Sequence, residues 1–273
     1  MRKTIYFIIP LLVLTSVFTA ASAEDSKEYI ISVNDVLEIS VYNEPDLTKI
    51  VRVLDDGTVN YPLLGNISAA GLPVRELENK IRDMLAEDYL VSPQVSVFVK
   101  EYAKISVLGQ VKQPGSYELK GRLGVMQAIA LAGGFTETGN PAKVKVIRKT
   151  KGNEETFNID TTLMAERAIG PSEIVLQPGD IIFVEEYGRI SVLGQVNKPG
   201  SYLLKKDLTV LEAIALAGGF TKIAAPDATQ VIRQEENRKR IFRVKVSAIM
   251  KGDKSFDITL LPGDTVVIPE SFF

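Results

Sequence analysis

The sequence predicts an α+β protein built from several small units, and three observations predict it. The stretch from Ile105 to Thr136, ISVLGQVKQPGSYELKGRLGVMQAIALAGGFT, returns from Ile190 to Thr221 as ISVLGQVNKPGSYLLKKDLTVLEAIALAGGFT, with about three-quarters of positions identical at an offset of roughly 85 residues. Short alternating β-branched runs, bounded by Gly, Pro, Asn and Asp, recur along the chain, and helical spacing is confined to short stretches. The period is too long for a solenoid and two copies are too few, so each copy is expected to be a small domain with its own core. The predicted order is an amino-terminal unit of β hairpins and one helix, then two tandem copies of one α+β unit.

Composition limits the chemistry. The 273 residues are 45% apolar, ample for packed cores, and carry 32 basic against 34 acidic residues spread through the chain, which argues against nucleic acid as a partner. Cys, His and Trp are absent. Without histidine the commonest general base and the imidazole metal ligands are missing, and without cysteine so are thiolate nucleophiles and zinc or iron–sulfur sites. Carboxylate, Lys or Ser/Lys chemistry and oxygen-ligand metal binding remain. The expectation is a protein that is not an enzyme and takes no cofactor.

The amino terminus reads as an export signal. Arg2 and Lys3 precede an apolar run from Ile5 to about Phe18, and Ala21-Ser22-Ala23 supplies the small residues of a cleavage site between Ala23 and Glu24. The run is shorter than the roughly 20 residues that cross a bilayer, and Pro10 interrupts it, so cleavage is favoured over a membrane anchor.

In the first unit, YIISVNDVLEISV from Tyr29 to Val41 reads as strand, Asn34-Asp35 turn, strand. Asp55-Asp56-Gly57, between alternating runs from Val51 to Leu64, reads as the turn of a hairpin; a calcium loop is the weaker reading, since the further ligands of an EF-hand do not follow. Pro73 to Leu85 is expected to be a helix, with Pro73 at its first position and Val74, Leu77, Ile81 and Leu85 on one face. Val95, Val97 and Val99 alternate in a strand after Pro93, and the unit ends near Tyr102.

Each repeat then reads alike. A strand, Ile105 to Val111 or Ile190 to Val196, enters a Pro-Gly turn at Pro114-Gly115 or Pro199-Gly200, and Tyr117 or Tyr202 begins the return strand. A short helix follows. Thr209 and Glu212 form a capping box, answered by Gly124 and Gln127 in the first copy. Val125, Ile129 and Leu131, and their counterparts Val210, Ile214 and Leu216, are expected to bury that helix, and Gly133-Gly134 and Gly218-Gly219 to end it. Further strands are expected from Val144 to Arg148, Thr156 to Ile159, Thr229 to Arg233 and Arg240 to Val246, and each copy closes on LQPGDIIFV or LLPGDTVVI.

Several residues invite sharper readings. The glycine pairs follow a helix where a phosphate-binding loop would precede one, so they read as helix caps. Asp180 and Asp264 recur after tight turns, where a carboxylate accepts backbone N–H bonds. Glu185 and Glu186 are consecutive in a strand, point to opposite faces and do not make an acid–base pair. RQEENRKRIFR, Arg233 to Arg243, reads as a solvated charged hairpin.

Strand, turn, strand, short helix and three more strands is a β-grasp order. GQVKQPGSY and GQVNKPGSY, each followed by AIALAGGFT, resemble the soluble-ligand-binding β-grasp (SLBB) domains of bacterial polysaccharide export proteins. Upstream, NDVLEISVYNEPDL, VRVLDDGTVNYPLLGNISAAGL and SPQVSVFV resemble the polysaccharide export domain of the same family. The expected organisation is a signal peptide over 1–23, an export domain over 24–102 and SLBB domains over 103–188 and 189–273. Asn34 stands where the family usually has Gly, and Pro73 where a capping Thr is common; Asn tolerates the left-handed conformation and Pro suits a first turn. No lipobox cysteine is present, and the sequence stops at VVIPESFF without the amphipathic helix that forms the outer-membrane pore in some members.

The resemblance implies a homo-oligomeric ring, periplasmic and associated with the outer membrane, through which a polysaccharide chain passes. It implies an inner-membrane polysaccharide co-polymerase as partner, and here a separate outer-membrane pore protein, for which Phe272 and Phe273 are a candidate docking tag. A periplasmic binding module that recognises a polysaccharide or small ligand without forming a channel is the alternative, and a carboxylate-based polysaccharide hydrolase or lyase the third reading. Subunit contacts are expected where the two copies differ: Lys112 and Gln113 against Asn197 and Lys198, Gly121-Arg122 against Lys206 and Asp207, and Glu137 to Asn140 against Lys222 to Ala225.

Overall fold

The computed structural model describes residues 28–150, 152–166, 174–236 and 238–271. The cleavage site at Ala23–Glu24 and the Phe272–Phe273 tag lie outside the described residues.

In the first unit, β1 (Val36–Val41) is the centre of a three-stranded antiparallel sheet. Its Leu37, Ile39 and Val41 point into the core, as the period of two in LEISV dictates. The strand opens from a tight turn whose Asn34 has φ 71°, the left-handed conformation that asparagine tolerates. β2 (Lys49–Arg52) pairs with one side of β1; then come β3 (Thr58–Tyr61), β4 (Gly65–Ser68), α1 (Val74–Asp88) and β5 (Val95–Glu101), which pairs with the other side. Leu77, Ile81 and Leu85 carry α1 against this sheet, and Pro73 serves as its N-cap rather than its first helical residue.

The hairpin expected around Asp55-Asp56-Gly57 is corrected. A turn is there, with Gly57 at φ 82° and Leu54 N–H donating to Thr58 O at 2.8 Å, but the strands it joins enter different sheets. β2 pairs with β1, whereas β3 pairs with β4 across a turn in which Leu63 takes φ 67°. Val53 explains the parting: it is fully buried and exchanges backbone bonds with the Asn34–Asp35 turn, so the chain leaves the β1 sheet there.

Each repeat folds into one five-stranded mixed sheet with a helix on its inner face. In the first, β6 (Lys104–Gly109), β7 (Gly115–Glu118), α2 (Val125–Leu131), β8 (Gly139–Thr150), β9 (Asn153–Ile159), α3 (Thr161–Glu166) and β10 (Ile181–Glu186) give the order β7-β6-β10-β8-β9, with β6 and β10 parallel. In the second, β11 (Arg189–Gly194), β12 (Gly200–Leu203), α4 (Val210–Leu216), β13 (Thr229–Glu235), β14 (Arg238–Val244), α5 (Val246–Met250) and β15 (Thr265–Ile268) repeat it as β12-β11-β15-β13-β14. This is the β-grasp arrangement. Three separate clusters of buried apolar residues result, spanning Ile31 to Val97, Ile105 to Val184 and Ile190 to Ile268.

Gly109 and Gly194 show why glycine ends the first strand of each copy. A Cβ there would lie 2.1 Å from the Val184 carbonyl oxygen or 2.0 Å from that of Ile268, and both residues have φ above +80°. The helix caps form as the spacing indicates. Thr209 N–H donates to Glu212 Oε2 at 2.9 Å and Glu212 N–H to Thr209 Oγ1 at 3.4 Å, while Gly124 can supply only the first half, donating to Gln127 Oε1 at 2.8 Å.

Three expectations fail locally. Leu131 and Leu216 do not bury their helices but are 51% and 53% exposed. Each sits about 200° around the helix from the buried isoleucine two residues earlier, because successive residues turn about 100°. The strand expected to run to Val246 stops at Val244, and Val246 opens α5. Helices α3 and α5 themselves follow the hairpins without a strong sequence signal.

Candidate functional site

Both Pro-Gly-Asp turns build the same buried ion pair. Asp180, 1% exposed, accepts Arg148 Nε at 2.9 Å and Nη2 at 2.7 Å, and also the Gln177 N–H at 2.8 Å. Arg148 completes its bonding with the Val175 carbonyl at 3.1 Å and stacks over Phe157, 5.5 Å to the ring centroid. In the second copy Arg233 and Asp264 reproduce the distances, with the Leu261 N–H, the Thr259 carbonyl and Phe242 in the same roles. The hydrogen bond to its aspartate holds each guanidinium above its ordinary pKa against the opposing effect of burial. The aspartates thus accept backbone N–H bonds as read from sequence, but the arginine partners were missed. Arg233 in particular is no part of a solvated hairpin. The available signal was the recurrence of Arg 32 and 31 residues ahead of Asp in the two copies.

Asp35 is a third version of this turn. Its Oδ2 accepts Ser32 N–H and Tyr29 O–H, both at 2.7 Å, while Oδ1 accepts the N–H of Ala103 at 2.7 Å. Where each repeat uses its own arginine, the first unit uses the backbone at the start of the next one. Tyr29, whose pKa is raised by burial and by Asp35, packs edge-on against Tyr102 with centroids 5.0 Å apart, and Lys120 lies over that second ring. Each of the three carboxylates accepts three hydrogen bonds from donors that hold its turn in place. Asp56 is equally local: its Oδ1 accepts both the N–H and the hydroxyl of Thr58, which lowers its pKa, and among the described residues no three acidic side chains gather as metal ligands. Glu185 and Glu186 pair separately, with Lys145 and Arg189.

The residues at which the copies differ fall into two groups per repeat. Lys112 N–H donates to Gly134 O and Gln113 N–H to Ala132 O, which sets Lys112, Gln113 and Glu137 around the carboxyl end of α2. Arg122 precedes the other end of that helix, roughly 10 Å away for seven residues of helix. Asn197, Lys198 and Lys222 repeat the first group, and Lys206 and Asp207 the second. All of these are exposed, with two qualifications. Asn197 Nδ2 donates to the Gly218 carbonyl at 2.6 Å and so ties the turn to the helix cap, and Asn140, at the end of the 137–140 stretch, is buried with its Oδ1 on Ala142 N–H.

Two surface features were not legible as sites. Leu108 and Leu193 share the outer sheet face with Phe183 and Val267, their register partners on β10 and β15, so each repeat leaves an apolar patch opposite its helix. A hollow of about 600 Å³ beside the edge strand β12 is lined by Tyr202, Leu203, Leu208 and Leu216, with Arg189 and Lys206 at its rim. Among the described residues no helix is long and apolar enough to cross a membrane.

A small hairpin-and-helix unit followed by two copies of one β-grasp sheet, with the recurring Arg–Asp pairs holding turns, defines a modular scaffold. Comparison with known proteins gives the family. Residues 23–100 match the model of the polysaccharide biosynthesis/export protein domain, and residues 104–158 and 189–242 match that of the SLBB domain. The chain belongs to the polysaccharide export protein family. It is 26% identical over 272 residues to the EPS I polysaccharide export outer membrane protein EpsA of Ralstonia nicotianae, covering 88% of this chain and 70% of that protein. It is 30% identical to the Vi polysaccharide export protein VexA/TviF of Salmonella typhi, over 68% of this chain and 52% of that protein. It is 25% identical to the exopolysaccharide production protein ExoF of Rhizobium meliloti, over 45% of this chain and 32% of that protein.

Proposed function

We propose that this protein is a component of the conduit that passes capsular polysaccharide or exopolysaccharide across the periplasm and outer membrane, and that it works as a ring of identical subunits without catalysing a reaction. The observation that carries this is the domain order: an export domain followed by two SLBB domains, in a chain whose relatives are named as exporters of EPS I and Vi polysaccharide. The side chains support it. A conduit for a hydrated polymer needs a rigid frame and surfaces that hold sugar weakly, and the buried carboxylates here serve the frame.

In this reading the protein is periplasmic, associated with the outer membrane and exported by a cleaved signal peptide. An inner-membrane co-polymerase delivers the chain and a separate outer-membrane protein provides the pore. The residues around the helix ends, Lys112, Gln113, Arg122 and Glu137 with their counterparts, are candidate contacts. Deleting the gene is expected to abolish surface polysaccharide while polymer synthesis continues, with restoration by the intact gene in trans. Unchanged surface polymer would refute the export role.

The hollow beside β12 favours a second reading, a binding module for a small anionic or sugar ligand. That reading predicts a monomer that takes up ligand at the hollow, with binding lost in Tyr202→Ala, and normal surface polymer in the deletion strain.

A further inference from the structure

The strands that end the two repeat sheets are the same strand with the charge reversed. β9 and β14 are the last strands in the orders β7-β6-β10-β8-β9 and β12-β11-β15-β13-β14, so among the described residues each has one edge without a partner strand. Position by position their burial is identical: four exposed residues, one half-buried aromatic, one exposed residue and a buried aliphatic. At equivalent places, however, Glu154 stands against Lys239, Glu155 against Arg240, and Asp160, just past the strand, against Lys245. Asp160 has a local role, its Oδ1 accepting Thr162 N–H at 2.9 Å where α3 begins, a bond Lys245 cannot make. The exchange of Glu154 and Glu155 for Lys239 and Arg240 at identical burial is not needed by the fold.

Cross-strand ion pairs absorb these charges only in part. Glu154 lies 3.6 Å from Lys149 and Arg240 3.5 Å from Glu235, both pairs at the exposed rim, and Glu155 and Lys239 make no ion pair among the described residues. Charged side chains along an edge normally keep other strands away. Edges of opposite sign on one chain do so selectively: β9 against β9, or β14 against β14, sets like charges together, whereas β9 against β14 of another copy sets each acid near a base. Since the two edges lie on different repeats, the permitted contact is heterologous, which closes a ring when its rotation divides a full turn and otherwise extends a filament.

We infer that the acidic edge β9 of one subunit docks on the basic edge β14 of a second copy of this chain, a contact that rests on the ring reading above and supplies its subunit interface. The test uses charge reversal on the mature chain, followed by sedimentation velocity at low and high salt. Glu154→Lys with Glu155→Lys gives a variant basic at both edges; Lys239→Glu with Arg240→Glu gives one acidic at both. Each alone should self-associate about tenfold more weakly or worse at low salt. A one-to-one mixture of the two, and the chain carrying all four changes, should recover association. Recovery in the mixture cannot come from misfolded chains, and circular dichroism of each variant should match the parent because all four residues are exposed. The parent association itself should weaken from 0.1 M to 1 M salt, as screening shortens from about 10 Å to about 3 Å.

A parent chain that is monomeric throughout would refute the ring reading and the contact together. A parent that assembles, with both reversals assembling equally well, would overturn the contact and leave the ring standing. If only the β14 reversal has an effect, and that effect is loss of binding to polygalacturonate in a parent that does not use β9, then β14 is a site for an acidic polymer and the contact is wrong.

Discussion

Asp180 is 1% exposed in the intact pair, and replacing Arg148 by Met leaves its carboxylate with only the Gln177 N–H as a donor, from which the cost follows. Removing one partner of a buried, hydrogen-bonded pair typically costs about 3–5 kcal/mol, because the remaining charge stays desolvated. Arg148 keeps 16% of its side chain exposed, so water reaches the site and the lower part of that range applies, about 3 kcal/mol. Methionine retains the contact over Phe157, which removes lost packing from the comparison. Adding Asp180→Asn relieves the orphaned charge, so the double variant should be more stable than Arg148→Met alone, with a coupling of roughly 2 kcal/mol. The duplication supplies the control: Arg233→Met should cost the same within about 0.5 kcal/mol, since the distances to Asp264 are the same. Three separate cores make a single global transition the wrong observable. Native-state hydrogen exchange in urea, read by peptide, resolves it: Arg148→Met should lower protection in β8, β9 and β10 and leave β13, β14 and β15 unchanged. A loss under about 1 kcal/mol, or no coupling to Asp180→Asn, would refute the view that these pairs hold the repeats together.

Gly109→Ala or Gly194→Ala places a methyl about 2 Å from a carbonyl oxygen at a positive φ, so either should destabilise its own repeat by more than about 2 kcal/mol in the same exchange experiment. Ile129→Ala should cost about 2–5 kcal/mol, whereas Leu131→Ser two residues later should stay within about 0.5 kcal/mol, both read from protection of the first repeat in the same exchange experiment. Tyr61 is fully buried and its pKa is pushed up to about 12 by that burial, from an ordinary 10.0. The folded state therefore holds the proton more tightly than the unfolded one, so stability is fully present below about pH 10 and is lost as pH rises toward 12. The full difference is on the order of 3 kcal/mol, and Tyr61→Phe should flatten that part of the pH–stability curve.

Much of this fold is legible because the sequence states it twice. A turn or cap that recurs at the same offset, as Gly133-Gly134 and Gly218-Gly219 do, is separated from coincidence by the second copy. The first unit has no such copy: Asp55-Asp56-Gly57 carries the turn chemistry, but the hairpin closes at Leu63, an exposed residue at positive φ that gives no turn signal. Leu131 is apolar yet faces outward, because two residues turn it about 200° from the buried Ile129. The Arg148–Asp180 pair lay hidden for a different reason. Aspartate in a turn predicts its backbone bonds, but a partner 32 residues away is set by which strands become neighbours, and β8 meets β10 only in the folded sheet. The charge reversal between β9 and β14 was visible in sequence all along and acquired meaning only when both strands proved to be edges.

A ring through which polymer passes is tested most directly by the mass and image of the mature chain purified from the periplasm and outer membrane. Closed assemblies of one subunit type with a central opening are the predicted result. A monomer at every concentration, in detergent with membrane lipids as well as in buffer, would contradict it.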